Sequence, residues 1–229
     1  MLKSKPIVSF TLFGFNLKYY VGAVENARSI QTLMPEWEMR VYYRSDYILP
    51  EYINILAELN VKLINLVDVS LGSVDTAHCP FFWRFLSFLE DTPSIVRDLD
   101  SRISYREIQY INNWLNSKKD YFIIRDHPWH SPVPSGLFGI RRKIKAFEDH
   151  FVSFINSNEL VWGTDQTVLQ FYMNDISKED IYYCGYDYRD NYIPRDDKNF
   201  FIGMQIDEHN NPLEPSAIQA LNYLKDLNI

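Results

Sequence analysis

Cysteine is almost missing from this chain of 229 residues: Cys79 and Cys184 are the only two. Two cysteines build neither a disulfide framework nor a cysteine-based zinc site, and the cytosol is the expected compartment. Positive charge is also in short supply. Lys and Arg number 23 against 30 Asp and Glu, a net charge of −7. That balance argues against a nucleic-acid partner, whose binding rests on neutralising phosphates. A single phosphorylated ligand in a local basic pocket stays compatible with it. No apolar run reaches transmembrane length, so any membrane association is expected to be peripheral. The start, MLKSKPIVSFTLFGF, imitates a signal peptide, but no small-residue cleavage site follows directly. A first β-strand is the better reading. Repeats and low-complexity linkers are absent, so one domain over residues 1–229 is expected.

What is present is a core. Hydrophobic residues make up 46% of the chain, enough for a globular α/β domain. Strands are expected at 6–14, 38–43, 61–67, 94–98 and 121–125, and shorter ones near 181–184 and 199–204. Helices are expected at 18–34, 50–59, 79–91, 103–117, 143–156, 164–174 and 214–226. Ser104 and Glu107 form an S-x-x-E capping box at the start of one of them. DHPWHSPVPSG, 126–136, reads as a loop with three prolines. Strands alternating with helices imply a mostly parallel mixed sheet covered on both faces. Ligands in such sheets sit at the carboxyl ends of the strands.

One of those ends reads IVRDLDSRIS, 95–104. In an extended segment Asp98 and Asp100 share a face, with Leu99 opposite. Two converging carboxylates are costly unless a cation lies between them, and a hard ion such as Mn²⁺ or Mg²⁺ suits oxygen ligands. A pair of turn aspartates balanced by Arg97 and Arg102 is the alternative. Arg84 sits in FFWRFLSFL, a helix apolar nearly all round, and a buried guanidinium needs an anion. Its partner is expected either at the Asp98 site or in Glu90 or Asp91. In WGTDQTVLQFY, Thr164 looks like an N-cap, which places Asp165 and Gln166 in the first helical turn. Asp165 suits the helix dipole there; Gln166 has no such reason. The proline loop gathers Asp126, His127, Trp129, His130, Gly136 and Gly139. A zinc site from His127, His130 and Asp126 is one reading, a substrate loop with close backbone approach at the glycines another, and a rigid surface turn with solvated histidines a third.

Together, the apolar strand into D-x-D, FWRFL before it and TDQ after it resemble GT-A-type glycosyltransferases that use nucleotide sugars. FWRFL resembles the Y-x-R-L element of retaining glycosyltransferase family 8, and TDQ its D-Q element. RDLDSRISYREIQYINNWLNS, RDHPWH and GTDQTVL resemble a little-characterised bacterial and viral group over about residues 7–205. The resemblance implies a GT-A-like α/β/α sandwich and a metal-dependent hexosyltransferase-like enzyme. It implies a nucleotide-diphosphate donor, a glycan or other hydroxyl acceptor, and an Mn²⁺ or Mg²⁺ ion. Asp100 would ligate the metal directly, and Asp98 would share the metal or contact the donor ribose. Arg84 and Gly136 would bind the donor, with the strand ends at Phe10, Thr11, Leu12 and Phe13 and at Tyr42–Arg44 as the nucleobase wall. Asp165 would hold donor hydroxyls and Gln166 would lie beneath the anomeric carbon. His127 and His130 would belong to the acceptor loop, and GYDYRDNY, 185–192, would form a lid. Two departures stand out. Residues 135–139 read SGLFG where the group has G-G-M-W-G, and the matching strand end carries Cys184 and Asp187 but not the family's late metal-binding histidine, leaving the third ligand open, with His209 as a substitute or a simple turn residue. Retention and inversion stay open on the residues alone. The alternatives are a haloacid-dehalogenase-like phosphatase using Asp98 and Asp100, and a degenerate sugar-binding domain without catalysis.

Overall fold

The computed structural model describes residues 4–67, 80–157, 161, 163–197, 199–213 and 215–227. Seven strands form one sheet: β1 Ile7–Leu12, β2 Glu38–Tyr43, β3 Lys62–Asn65, β4 Ser94–Arg97, β5 Tyr121–Arg125, β6 Leu137–Ile140 and β7 Ile181–Gly185. Their order is β3-β2-β1-β4-β6-β5-β7. Only β6 runs against its neighbours, β4 and β5. The signal-like N-terminal run is β1, at the middle of the sheet.

The helices are α1 Leu17–Leu33, α2 Pro50–Glu58, α3 Tyr105–Ser117, α4 Lys145–Ser157, α5 Thr164–Asn174 and α6 Ser216–Asp226. Period-two alternation divides the strands between two cores. Val8, Phe10 and Leu12 of β1 pack with α1, α2 and α3 residues on one face. On the other face Phe82, Phe85, Phe147, Phe151, Val168 and Leu169 form a second cluster with α4 and α5. The result is the expected α/β/α sandwich with a mostly parallel mixed sheet.

Three expectations need correction. The segment expected as a helix over 79–91 is a 3-10 helix, Pro80–Leu89, and residue 79 lies outside the described residues. The three-residue period aligns Phe82, Phe85 and Phe88, whose rings lie 6.1 and 5.8 Å apart in succession. β6, read as the end of a loop, is a strand: Leu137–Ile140 inserts between β4 and β5 directly after the prolines. Residues 199–204 are not a strand. They form an irregular segment, buried at Phe201, Ile202 and Met204, and fixed where Ile202 N–H donates to Asp126 Oδ2 at 2.7 Å and, just after it, Ile206 N–H to the Asp100 carbonyl at 2.7 Å. Side-chain and loop acceptors satisfy this backbone in place of a ladder.

One helix face sets the aspartate turn. Lys18, Gly22 and Asn26 recur every fourth residue on α1, so they lie on one stripe. Lys18 Nζ lies 2.9 Å from Asp100 Oδ2. A Cβ on Gly22 would overlap the Leu99 carbonyl, so only glycine permits this approach. Buried Asn26 donates to the Ser101 carbonyl at 2.8 Å and accepts from Ile103 N–H at 3.0 Å.

Candidate active site

β4 ends at Arg97, and Asp98 follows at its carboxyl end. The chain then turns instead of staying extended, with Ser101 Oγ donating to the Asp98 carbonyl at 3.1 Å. Asp98 and Asp100 nevertheless line one cleft, while Leu99 is buried in the α1-side core. Neither Arg97 nor Arg102 forms an ion pair with them, although the Asp100 charge does act on Arg102. Arg97 faces Glu107 at 2.8 Å and the Gly136 carbonyl at 3.0 Å, and Arg102 donates to the Leu99 carbonyl at 3.1 Å.

The balancing cations are Arg84 and Lys18. The outer face of β1 pins Arg84 by its backbone: Ser9 Oγ donates to its carbonyl at 2.7 Å and Thr11 Oγ1 accepts its N–H at 3.0 Å. Its buried guanidinium joins Asp98 to Asp165, with Nη2 2.8 Å from Asp165 Oδ2 and 3.1 Å from Ser135 Oγ. The alternative partner Glu90 is taken by Arg40. Asp165 is buried and stands in the first turn of α5. The residue before that helix is Gly163, at φ 86°, and not Thr164. Thr164 Oγ1 donates to the Val161 carbonyl at 2.6 Å instead. Asp165 and Gln166 still occupy the first turn.

Asp98 rests against the Gly136 backbone. A Cβ there would overlap its carboxylate. Burial first, and then the Asp98 charge, hold the Asp100 carboxyl above the usual carboxylate range, while Lys18 pulls it down. Three carboxylates, Asp98, Asp100 and Asp165, meet the paired cations Arg84 and Lys18 here. Asp98 and Asp100 are oxygen donors of the kind a hard divalent ion takes, but among the described residues the three carboxylates do not converge as one metal-holding group, so phosphate oxygens would have to complete the set.

The nucleobase wall is different in detail from expectation. Thr11 and Phe13 line the cleft, but Phe10 and Leu12 point into the opposite core and are fully buried, and Tyr42, Tyr43 and Arg44 do not line it. Pleating sends alternate side chains to opposite faces. Cys184, Asp187 and His209 do not line the cleft. Cys184 is buried beside the Ile123 carbonyl, Asp187 pairs with Arg125, and His209 is an exposed turn residue. The side chain this region does supply is Gln205, which was not anticipated because 199–204 reads as a strand.

A second recess of ≈ 400 Å³ adjoins the first and shares Asp98, Ser135, Gln166 and Gln205 with it. His127, His130 and Gly136 line it. The histidines are half-buried, not solvated, with ring centroids 3.7 Å apart. His130 Nδ1 accepts Asp126 N–H at 3.1 Å and His127 Nδ1 accepts Trp129 N–H at 3.2 Å. Asp126 is committed to Arg106. The zinc reading therefore fails: both Nδ1 atoms are used, and among the described residues no group of three or more His, Cys, Asp or Glu suits a metal ion.

Burial, then the Arg125 charge, lowers His127 to about 4; burial, then His127, takes His130 well below its ordinary value. Both are neutral at pH 7. A depressed histidine pKa means the unfolded chain binds the extra proton first, so stability falls as pH drops below 6.5. Melting temperature is expected to decline between pH 6.5 and about 4, and the His127→Gln/His130→Gln variant to flatten that decline.

No protein-family model and no curated protein matches the sequence. Solved structures do match. M. tuberculosis glucosyl-3-phosphoglycerate synthase aligns with a TM-score of 0.53 at 11% identity, over 99% of this chain and 82% of that one. Its complex with phosphoglyceric acid aligns with a TM-score of 0.52 at 9% identity, over 79% and 69%. S. aureus TarS 1-349 aligns with a TM-score of 0.51 at 17% identity, over 75% of this chain; the chain spans 56% of that 1-349 portion. These likenesses show the fold, a GT-A-like α/β/α sandwich. They do not favour the phosphatase alternative. No helix among the described residues is long and apolar enough to cross a membrane.

Proposed function

We propose that this chain transfers a sugar from a nucleotide-diphosphate donor to a hydroxyl acceptor, with retention, using an Mn²⁺ or Mg²⁺ ion. The observation that carries this reading is Arg84. One buried guanidinium ties the aspartate after β4 to the aspartate opening α5, at the point where two recesses meet. A scaffold salt bridge needs one carboxylate; two of them converging on a cleft suit a site for a charged, polyhydroxylated ligand.

Asp98 and Asp100 would hold the metal, with Gln205 beside them. A bound divalent ion would offset charge on the leaving diphosphate. Lys18 then leaves Asp100 free, its flexible ammonium reaching toward phosphate oxygens. Asp165, held by Arg84, accepts hydrogen bonds from donor hydroxyls. Gln166 lines both recesses, where its amide oxygen faces the developing oxocarbenium-like anomeric carbon. Neutral His127 and His130 present Nε2–H donors to the acceptor.

Gly136→Ala tests the cradle. The added methyl is expected to push Asp98 off Arg84 while leaving melting temperature nearly unchanged, because the Asp98 side chain is 47% exposed. Nucleotide-sugar binding is expected to weaken at least about tenfold, the scale of a lost charge-assisted contact. Thermal shift with and without ligand reads both. The function itself is tested by incubating the protein with UDP-, GDP-, ADP- and CDP-sugars and Mn²⁺. At least one is expected to release nucleoside diphosphate, and Asp165→Asn to stop it. Nucleotide binding without turnover by any donor would instead support the non-catalytic sugar-binding alternative.

A further inference from the structure

The recess beside the carboxylate cleft differs from it in charge. Asp98 is its single ionised lining residue, and among the described residues no Lys or Arg lines it. The remaining polar groups are neutral: Ser131, Ser135, Gln166, Gln205, Ser216 and Gln219. The nearby guanidinia are already committed. Arg84 serves Asp98 and Asp165, and Arg125 serves Asp187 and the His130 carbonyl. A phosphate or carboxylate entering here would meet Asp98 with no cation to receive it.

The apolar part of the wall is aromatic. Trp129 lines the recess and is 57% exposed, although Trp is usually well buried. It is not loose. Its ring lies 5.4 Å from Tyr223 and 6.3 Å from His127. Phe201 continues the wall beneath, 4.6 Å from His127. A positioned, solvent-facing indole beside neutral amides and hydroxyls matches the two surfaces of a sugar ring: a C–H face and a rim of hydroxyls.

We propose that this recess binds a neutral sugar or polyol, stacked on Trp129, and discriminates against phosphorylated and carboxylated acceptors. Its role as the acceptor site rests on the transferase reading above; its ligand class does not. The neutral histidines contribute donors without adding the positive charge an anion would need.

Saturation-transfer NMR tests this with the methyl glycosides of glucose, galactose, mannose and N-acetylglucosamine, against 3-phosphoglycerate and glucuronate. At least one neutral glycoside is expected to bind, and Trp129→Ala to weaken it at least about tenfold, as loss of an aromatic sugar platform should, with melting temperature unchanged. Neither anion is expected to bind. Anions binding as well as the neutral glycosides, no neutral glycoside binding, or binding indifferent to Trp129→Ala would each overturn the proposal. Nucleotide binding is measured on the same samples. Sugar binding without nucleotide binding fails the transferase reading and leaves this inference standing. Nucleotide binding without sugar binding does the reverse.

Discussion

Arg84→Met is expected to abolish donor binding and to destabilise the protein by roughly 3–5 kcal/mol, the cost of stripping one partner from a buried ion pair. Methionine replaces the packing volume but not the charge. Asp165, with a side chain only 9% exposed, is then left uncompensated, while half-exposed Asp98 turns to solvent. Urea denaturation gives the stability and calorimetry the binding. The double variant Arg84→Met/Asp165→Leu is expected to recover part of the stability, because the orphaned charge is gone. It is not expected to recover binding. Donor binding that survives in the Arg84→Met single variant would reduce Arg84 to a scaffold role.

Asp100→Asn is expected to do the opposite: sugar transfer falls on the order of 10²–10³-fold, as when one preorganised electrostatic contact is lost, and the fold is not weakened. The sign follows from the raised Asp100 carboxyl, caused first by burial and then by Asp98. A raised carboxyl pKa means the native state holds its proton more firmly than the unfolded chain does. Ionising Asp100 therefore lowers stability as pH rises from below 3.8 through the raised value. The amide never ionises. Its melting temperature is expected to match or exceed that of the parent at pH 7, with the advantage vanishing below pH 3.8. Lys18, 16% exposed, has solvent to turn to when its partner is neutral. Thermal melts from pH 3 to pH 8 measure this, alongside donor turnover at pH 7.

The aspartate turn was legible in the sequence because its signals are local. A β-branched strand runs into D-x-D, and four residues on begins a capping box, where Ser104 Oγ does accept Glu107 N–H at 3.3 Å. Arg84 was legible as a buried charge in need of an anion, although its two partners were not decided by spacing. What escaped depends on long-range pairing. β6 is four residues beside prolines and glycines; its partner β4 lies beyond α3 and β5 in the chain, and the preceding strand β5 is joined to it only through the proline loop. Residues 199–204 carry the composition of a strand, yet the Asp126 side chain takes the Ile202 N–H that a neighbouring strand would otherwise accept. Gln205 was lost with that segment. The Lys18, Gly22 and Asn26 stripe does stand in the sequence at helical spacing, but nothing local says that it faces the aspartate turn. Phe10 and Leu12 were assigned to the cleft from the strand end as a whole; the pleat gives the cleft only Thr11 and Phe13.

The central claim is that the cleft between β4 and α5 binds a nucleoside diphosphate together with a divalent ion held by Asp98 and Asp100. Calorimetric titration of UDP, GDP, ADP and CDP, with and without Mn²⁺, tests it most directly. At least one nucleotide is expected to bind at least about tenfold more tightly with Mn²⁺, a coupling of about 1.4 kcal/mol. That coupling is expected to vanish in Asp100→Asn. Binding that is equally tight without metal, a coupling that survives Asp100→Asn, or no binding of any of the four would contradict it.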